Sequence, residues 1–506
     1  MKTLLDKLYQ HALKQPDVSA VISGGEWLDY AQLWRDVETA ARNLEQLQVR
    51  SLGLYLDNGI EWIVTDLAAL RAGIQVVPLP WFFSDQQLRH AIRSGQVDHV
   101  VGAHNLPSGL GGHGKPTAFC RDSQIYPVGN PASNQKPAKD GKLSFTSGST
   151  GHPRGIELPA ALIEQTCIAL TQVIPHERIQ VHLGMLPYAT LLENIAGIYL
   201  PLMLGRTVQA EPAAAIGLTP DLSLDPQILA RTFTRARPNS LILTPQLLEL
   251  LCILGEQAAI DTSTLAYVAV GGAHVSPSLI DRAHAVGIPA YQGYGLTEFA
   301  SVATLNTPQH HRAGSTGKPL PGVEVSLGKD DEIRLSRTIQ VVEGGDTRRR
   351  KITVETGDYG TLDNDGFVFV HGRQSNLIIL ANGRNVSPEW VESELNSSSQ
   401  VAQSYVFSAD GRKLSALIFT PAQDDSIIDA EVHRINRGLP AYAQIDLWHR
   451  LDQPFSRANR TLTANGRLRR QQIQQLLPRL TNHGNTSRPP LSADSFLFQF
   501  KEPKVC

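Results

Sequence analysis

Phe145-Thr146-Ser147-Gly148-Ser149-Thr150-Gly151-His152-Pro153-Arg154-Gly155 is the stretch on which the reading of this chain turns. Gly148, Gly151 and Gly155 leave the backbone free to turn tightly and to approach a ligand. Thr146, Ser147, Ser149 and Thr150 add hydroxyls, and Arg154 adds a permanent positive charge. A run of backbone N–H groups beside a cation suits phosphate oxygens. Lys142-Leu143-Ser144-Phe145 in front of it reads as a short strand that holds the loop rigid. Taken alone, the same residues also describe an ordinary Gly/Ser surface turn.

The rest of the 506-residue chain narrows the choice. Its length corresponds to about three ordinary domains. An apolar fraction of 42% and a charged fraction of 19% are those of a soluble globular protein. Lys and Arg number 46 against 48 Asp and Glu, a balance that does not favour a nucleic-acid partner. Cys120, Cys167, Cys252 and Cys506 lie too far apart for a metal or redox motif, and Cys167 and Cys252 read as core thiols. Residues 1–7 lack a signal-peptide core. The longest apolar run, 195–204, is about half a membrane span, so no transmembrane segment and a cytoplasmic location are expected.

From the N-terminus, helices are expected over 3–14, 30–47, 60–72 and 88–94, with strands at 52–56, 75–78 and 97–101 and a hairpin over 19–28. That alternation predicts an α/β domain with largely parallel sheets. Residues 104–139 read as an irregular excursion. Beyond the loop, helices are expected at 160–173, 193–204, 246–254 and 278–286, and strands at 181–186, 240–243 and 265–270. Between about 317 and 370 short strands are expected, close together. A smaller α+β unit follows, with Ser387-Pro388 starting a helix over 389–396.

Four further motifs carry chemistry. Tyr291-Gln292-Gly293-Tyr294-Gly295-Leu296-Thr297-Glu298 offers an aromatic face for a nucleobase, then a hydroxyl and a carboxylate for a phosphate and Mg²⁺. Thr356-Gly357-Asp358-Tyr359-Gly360 sets a carboxylate after a tight turn, where it can accept both hydroxyls of a ribose. Gly372-Arg373 adds a cation, and the basic tip Asn465-Gly466-Arg467 can deliver another. Each also has an ordinary reading, as a strand end, a surface turn or a solvated face. A Walker nucleotide loop fits poorly, because no Gly-Lys-Ser/Thr follows Gly148 at the required spacing.

In this order the five motifs resemble the adenylate-forming superfamily, which includes acyl-CoA synthetases, carrier-protein adenylation domains and beetle luciferases. The resemblance runs from about residue 30 to 472 and is strongest to the fatty acyl-CoA synthetase branch. It implies a large N-terminal domain, 1–372, of stacked mixed sheets with helices and a β-rich subdomain. A small mobile α+β domain, 373–477, and a flexible tail, 478–506, would follow. It also implies a two-step reaction. A carboxylic acid and ATP give an acyl-adenylate and pyrophosphate; a thiol of coenzyme A, or a phosphopantetheine arm on a carrier protein, then displaces AMP. By resemblance, Thr146, Ser147, Gly148, Ser149, Thr150, Gly151 and Arg154 hold the β- and γ-phosphates. Thr297 contacts the α-phosphate and Glu298 the Mg²⁺. Gly272, Ala273 and Tyr294 flank adenine, Asp358 and Arg373 hold the ribose, and Arg467 takes the late catalytic position.

Three residues depart from that pattern. Arg154 and Arg467 stand where lysine is usual, and Ser375 stands at a hinge that is commonly Asp or Lys. The acyl segment Leu186-Pro187-Tyr188-Ala189-Thr190-Leu191-Leu192-Glu193-Asn194 resembles the fatty acid branch, with Thr190 in place of a common His. Gly271, Gly272 and Gly293 are expected to leave pocket walls bare for a long or bulky acyl group, so a fatty or aryl acid is favoured over an amino acid. Two alternatives stand beside a fatty acyl-CoA synthetase: a ligase that loads a carrier protein, and a nucleotide- or acyl-binding protein that has lost adenylation.

Overall fold

The computed structural model describes residues 1–487 apart from 105, 111–115, 129–139, 147–153, 219–223, 344–345, 399, 421, 464–466 and 482–485. They form two compact units: Met1–His371 with Thr463–Arg467, and Gly372–Leu462 with the described residues from Leu468 onward.

Short, wholly apolar runs make the first unit's main sheet. Ser240–Leu243 is buried along its whole length and Tyr267–Val270 nearly so, as strands of a parallel sheet covered on both faces must be. Six strands run parallel, from Ser19–Ser23 through Thr207–Gln209, Val181–Leu183, Ser240–Leu243 and Tyr267–Val270 to Ala290–Tyr294. Antiparallel strands finish both edges, giving nine in all. A second, seven-stranded sheet sets His99–Gly102, Ser51–Tyr55, Gln75–Pro78 and Gly141–Thr146 in parallel at its centre. Leu52 and Val76 of this sheet share one buried core with Val208 of the other and with Leu33, Ile63 and Ile198 of the helices. The helices start where side chains can take up free N–H groups. The Asp29 carboxylate accepts from Gln32 N–H, Ser84 and Gln87 form a capping box, and Thr244 and Ser276 each precede a proline in the first turn.

Several elements differ from the sequence reading. Gln124–Pro127, inside the expected irregular excursion, is a strand antiparallel to His99–Gly102. Arg154–Pro159 is a strand paired antiparallel with Gly141–Thr146, so the opening stretch both begins and ends in strand. The strand expected to reach 186 stops at Leu183. Beyond it, the Asn58 amide donates to the Leu186 carbonyl and accepts from Tyr188 N–H, which draws the chain out of the sheet. The helix expected from 193 begins at Leu191 and is wound as a π-helix over Asn194–Tyr199. The strands expected to be short near residue 340 are instead Glu332–Glu343 and Asp346–Leu362, a long hairpin in a four-stranded sheet. No Pro interrupts either strand, and Ile333, Leu335 and Ile339 keep one face of the first in the core.

In the second unit, Gln403–Phe407, Leu414–Phe419, Ile445–Arg450 and Thr486–Ser487 form one sheet. Helices Pro388–Asn396 and Asp425–Gly438 pack their apolar faces, Val391 and Leu395 with Ile428 and Val432, around Trp448. Helix Arg470–Leu480 runs through Pro478. The residues expected to begin a flexible tail at 478 are thus helix to Leu480, and Thr486–Ser487 adds an edge strand; 488–506 lie outside the described residues. Among the described residues no helix is long and apolar enough to cross a membrane. Cys120, Cys167 and Cys252 are buried, and burial pushes the Cys120 and Cys252 thiols up to about 12.

Candidate functional site

In a parallel sheet, ligands are met at the carboxyl ends of the strands. Two neighbouring strands of the main sheet end in expected site residues. Tyr267–Val270 runs into Gly271-Gly272-Ala273, and Ala290–Tyr294 runs into Gly295–Glu298, with Val270 paired to Gln292 between them. Gly271 N–H stays in the sheet, donating to the Leu243 carbonyl at 3.0 Å. Gly272 takes the left-handed φ of +84° and is exposed, with open space where a Cβ would stand. Gly271 and Gly293 do not face open space. A Cβ on Gly293 would meet Leu305 Cδ1 at 2.8 Å, and one on Gly271 would meet the Gly293 carbonyl oxygen at 3.3 Å. Strand packing accounts for both, which corrects their expected role as bare pocket walls.

Thr297 and Glu298 lie half-buried on a single 3₁₀ turn, Thr297–Phe299. Phe299 is fully buried beneath it, and Ala300, at a left-handed φ of 55°, ends the turn by donating to the Thr297 carbonyl at 3.1 Å. Asp358 follows Gly357, whose φ is +70°. The Thr356 hydroxyl accepts from Asp358 N–H at 3.1 Å and donates to the Ile333 carbonyl at 2.7 Å, fixing the turn to the long hairpin. The Tyr294 hydroxyl donates to Asp358 Oδ2 at 2.7 Å. The second and third motifs, 64 residues apart in sequence, therefore meet.

Thr146 and Arg154 face each other across the hairpin, and the Thr146 hydroxyl reaches the Arg154 carbonyl at 3.4 Å. Ser147, Gly148, Ser149, Thr150 and Gly151 lie outside the described residues. Arg154 is exposed. Arg373 is exposed in the second unit, where Asn376, beside Ser375, donates to Glu389 Oε1 at 2.6 Å. Thr463 and Arg467 bond each other, N–H to carbonyl at 2.7 Å and N–H to hydroxyl at 3.0 Å. Both group with the first unit, where Arg467 Nη2 donates to the Gly272 carbonyl at 2.8 Å.

A family model described as an AMP-binding enzyme matches residues 8–338. The chain belongs to the AMP-binding enzyme family. A model for the C-terminal domain of AMP-binding enzymes matches residues 375–480. A long-chain-fatty-acid–CoA ligase of Mycobacterium bovis is 23% identical to this enzyme over 488 residues, 81% of each chain. A 2-succinylbenzoate–CoA ligase of Geobacillus kaustophilus is 26% identical over 429 residues, 80% of this chain and 84% of that one. The fold is that of an anthranilate CoA ligase solved with anthranoyl-AMP, at a TM-score of 0.76 and 18% identity over 94% of this chain and 98% of the other.

In this AMP-binding enzyme residues 186–194, the expected acyl segment, are held by buried polar groups whose pairing the sequence reading did not pick out. Glu193 is buried and accepts from Leu186 N–H at 3.2 Å, and its Oε1 lies 2.9 Å from His182 Nε2. The other His182 nitrogen lies 2.9 Å from the Ser240 hydroxyl. Burial raises the Glu193 carboxyl above its ordinary pKa, against the pull of His182. Lys142, Asp66, Asn194 and Tyr199 form a second cluster, each at most 1% exposed. The available signal was a lone Asp within the apolar helix Ile60–Arg71 and a lone Lys within a buried strand. Neither names its partner, because they stand 76 residues apart.

Proposed function

We propose that this enzyme is an AMP-forming acid–thiol ligase that activates an apolar carboxylic acid with ATP and passes the acyl group to coenzyme A. The observation that carries the reading is the Tyr294–Asp358 hydrogen bond. It sets an aromatic ring and a carboxylate together at the carboxyl edge of the parallel sheet, one strand from the open backbone at Gly272. We assign an adenosine to this edge, with Tyr294, Gly272 and Ala273 at the base and Asp358 at the ribose. Thr146 through Arg154 take the triphosphate, and Thr297 takes the α-phosphate.

A carboxylate oxygen of the acid attacks the α-phosphorus, the bond to the β-phosphate oxygen breaks, and pyrophosphate leaves. The coenzyme A thiolate then attacks the acyl carbon, and the bond to AMP breaks. No protein nucleophile is needed; Thr297, Arg154 and Arg467 meet charge that builds on phosphate oxygens. Among the described residues no group of three or more His, Cys, Asp or Glu could hold a metal. The Glu298 carboxylate would hold Mg²⁺ as a single protein ligand, the rest of the shell coming from phosphate and water. Bound there, Mg²⁺ would supply charge neutralisation at the phosphates.

The acid is of the fatty or aryl class, the two kinds that the relatives' names carry. The test is pyrophosphate release with ATP and Mg²⁺ over fatty acids of graded length and aryl acids, followed by thioester formation. Release with at least one acid and a coenzyme A thioester are expected, with Glu298→Gln at least about 100-fold slower. No release with any acid would overturn the reading, and a thioester formed only on a carrier protein would overturn the acceptor.

A further inference from the structure

We propose that Lys142 and Asp66 are positioning residues that fix the strand leading into the phosphate loop against the helix that continues from the acyl segment. This rests on the function proposed above. Lys142 lies on Gly141–Thr146, four residues before Thr146, and pairs with Val76 across the sheet. Its ammonium donates to Asp66 Oδ1 on helix Ile60–Arg71. It also lies 5.5 Å from the Trp62 ring centre and 5.4 Å from that of Tyr199. The second carboxylate oxygen of Asp66 accepts from Asn194 Nδ2 at 3.1 Å and from the Tyr199 hydroxyl. Asn194 and Tyr199 are the first and last residues of the π-helix, and Asn194 is also the last residue of the acyl segment. One carboxylate thus ties together the phosphate-loop strand, a core helix and the acyl segment.

Stability does not call for this arrangement. A buried ion pair can usually be replaced by apolar side chains of similar volume at no loss. This network is also incompletely satisfied: Trp62 Nε1, Thr65 Oγ1 and Asn194 Oδ1 are buried without a partner. What directional bonds provide, and apolar contacts do not, is position along the strand axis. Burial lowers the Lys142 ammonium below its ordinary pKa while the Asp66 carboxylate pulls the other way, so the ammonium depends on that single partner. In-line attack is sensitive to placement, since a displacement of about 1 Å can cost on the order of 100-fold in rate. The π-helix is a further mark of position over stability, as such turns gather at functional sites.

The test compares Lys142→Met, Lys142→Met/Asp66→Asn and Tyr199→Phe with the wild-type chain. Lys142→Met should lower both Tm and the kcat of pyrophosphate release. Adding Asp66→Asn should bring Tm back to within about 2 °C of wild type. It should leave kcat at least about 10-fold low, with KM for ATP and for the acid within about threefold. Recovery of kcat together with Tm would reduce the pair to core packing and overturn the proposal. If the double variant does not fold, Tyr199→Phe decides, assayed well below its Tm: kcat about 3- to 10-fold low with KM within about threefold supports the proposal, and wild-type kcat overturns it. Hydrogen exchange separates this proposal from the ligase reading. Amides of 141–146 and 191–203 should exchange at least about 10-fold faster in the double variant, turnover or not. Unchanged exchange in both segments would overturn the positioning role even in an active enzyme.

Discussion

In the first unit a buried carboxylate, Asp66, gathers one cation and two neutral donors; in the second a half-buried cation, Arg470, gathers two carboxylates. Asp66 draws on two elements far apart in sequence, strand Gly141–Thr146 and the π-helix. Arg470 draws on one. Glu389 and Glu392 lie three apart on helix Pro388–Asn396, so they share a face before any tertiary contact forms. Arg470 donates to Glu389 at 3.0 Å and, in a two-pronged contact, to Glu392. Glu389 also accepts from Asn376 and from the Ser387 hydroxyl, and Glu392 accepts from Val406 N–H at 2.8 Å. Because Arg470 opens helix Arg470–Leu480, this cluster sets where the segment after Arg467 joins the second unit. The difference lies in what a single deletion strands. Without Lys142, one carboxylate loses its cation and keeps two donors; without Arg470, two carboxylates keep their neutral donors but lose the cation between them.

The largest expected effect follows from that difference. Arg470→Met should cost the second unit about 3 kcal/mol, the low end of the range for breaking a buried pair, because Arg470 is itself partly exposed. Lys142→Met should cost the first about 2 kcal/mol, because the stranded carboxylate is still hydrogen-bonded. Urea unfolding read by hydrogen exchange within each unit measures both, and equal losses would break the comparison.

The second effect is on pH. Burial raises the Glu392 carboxyl to about 7 from an ordinary value of 4.5, outweighing the pull of Arg470. Between those values the folded unit binds the proton more tightly than the unfolded chain does, so stability falls as pH rises across that window. The full difference is about 3 kcal/mol. The wild-type minus Glu392→Gln difference in second-unit stability, followed from pH 4 to 8, isolates it. A pH-independent difference would remove desolvation of Glu392 from the account.

The smallest effect sharpens the contrast between these clusters and a site that meets solvent. Tyr294→Phe deletes the hydroxyl on Asp358 where both groups border the site, and should cost about 1 kcal/mol. Its larger consequence should be weaker ATP binding by calorimetry. A stability loss as large as that of Lys142→Met would place this pair with the buried clusters.

Much of the framework was legible in the residues because its signals are local. Pro after Thr244 and Ser276 marked helix starts, Asn58-Gly59 marked the start of Ile60–Arg71, and apolar periodicity marked Tyr30–Gln46. Tyr294, Thr297, Glu298 and Asp358 stood out because small residues and turns isolate them. Other features had no local mark. Gly155 and Pro159 disguised strand Arg154–Pro159, whose partner strand makes it one. The long hairpin had no interruption to announce where it would end. Gly293 looked like a pocket wall because the sequence does not show that Leu305 stands across from it.

By itself, the sequence determined most of the element types, the order of the motifs and the family, since each rests on short-range spacing and turn chemistry. The tertiary structure decided which charges pair. Asp66 and Lys142 read singly as flaws in an apolar helix and strand. They acquire a role only when the fold brings them together in a core where an unpaired charge could not remain.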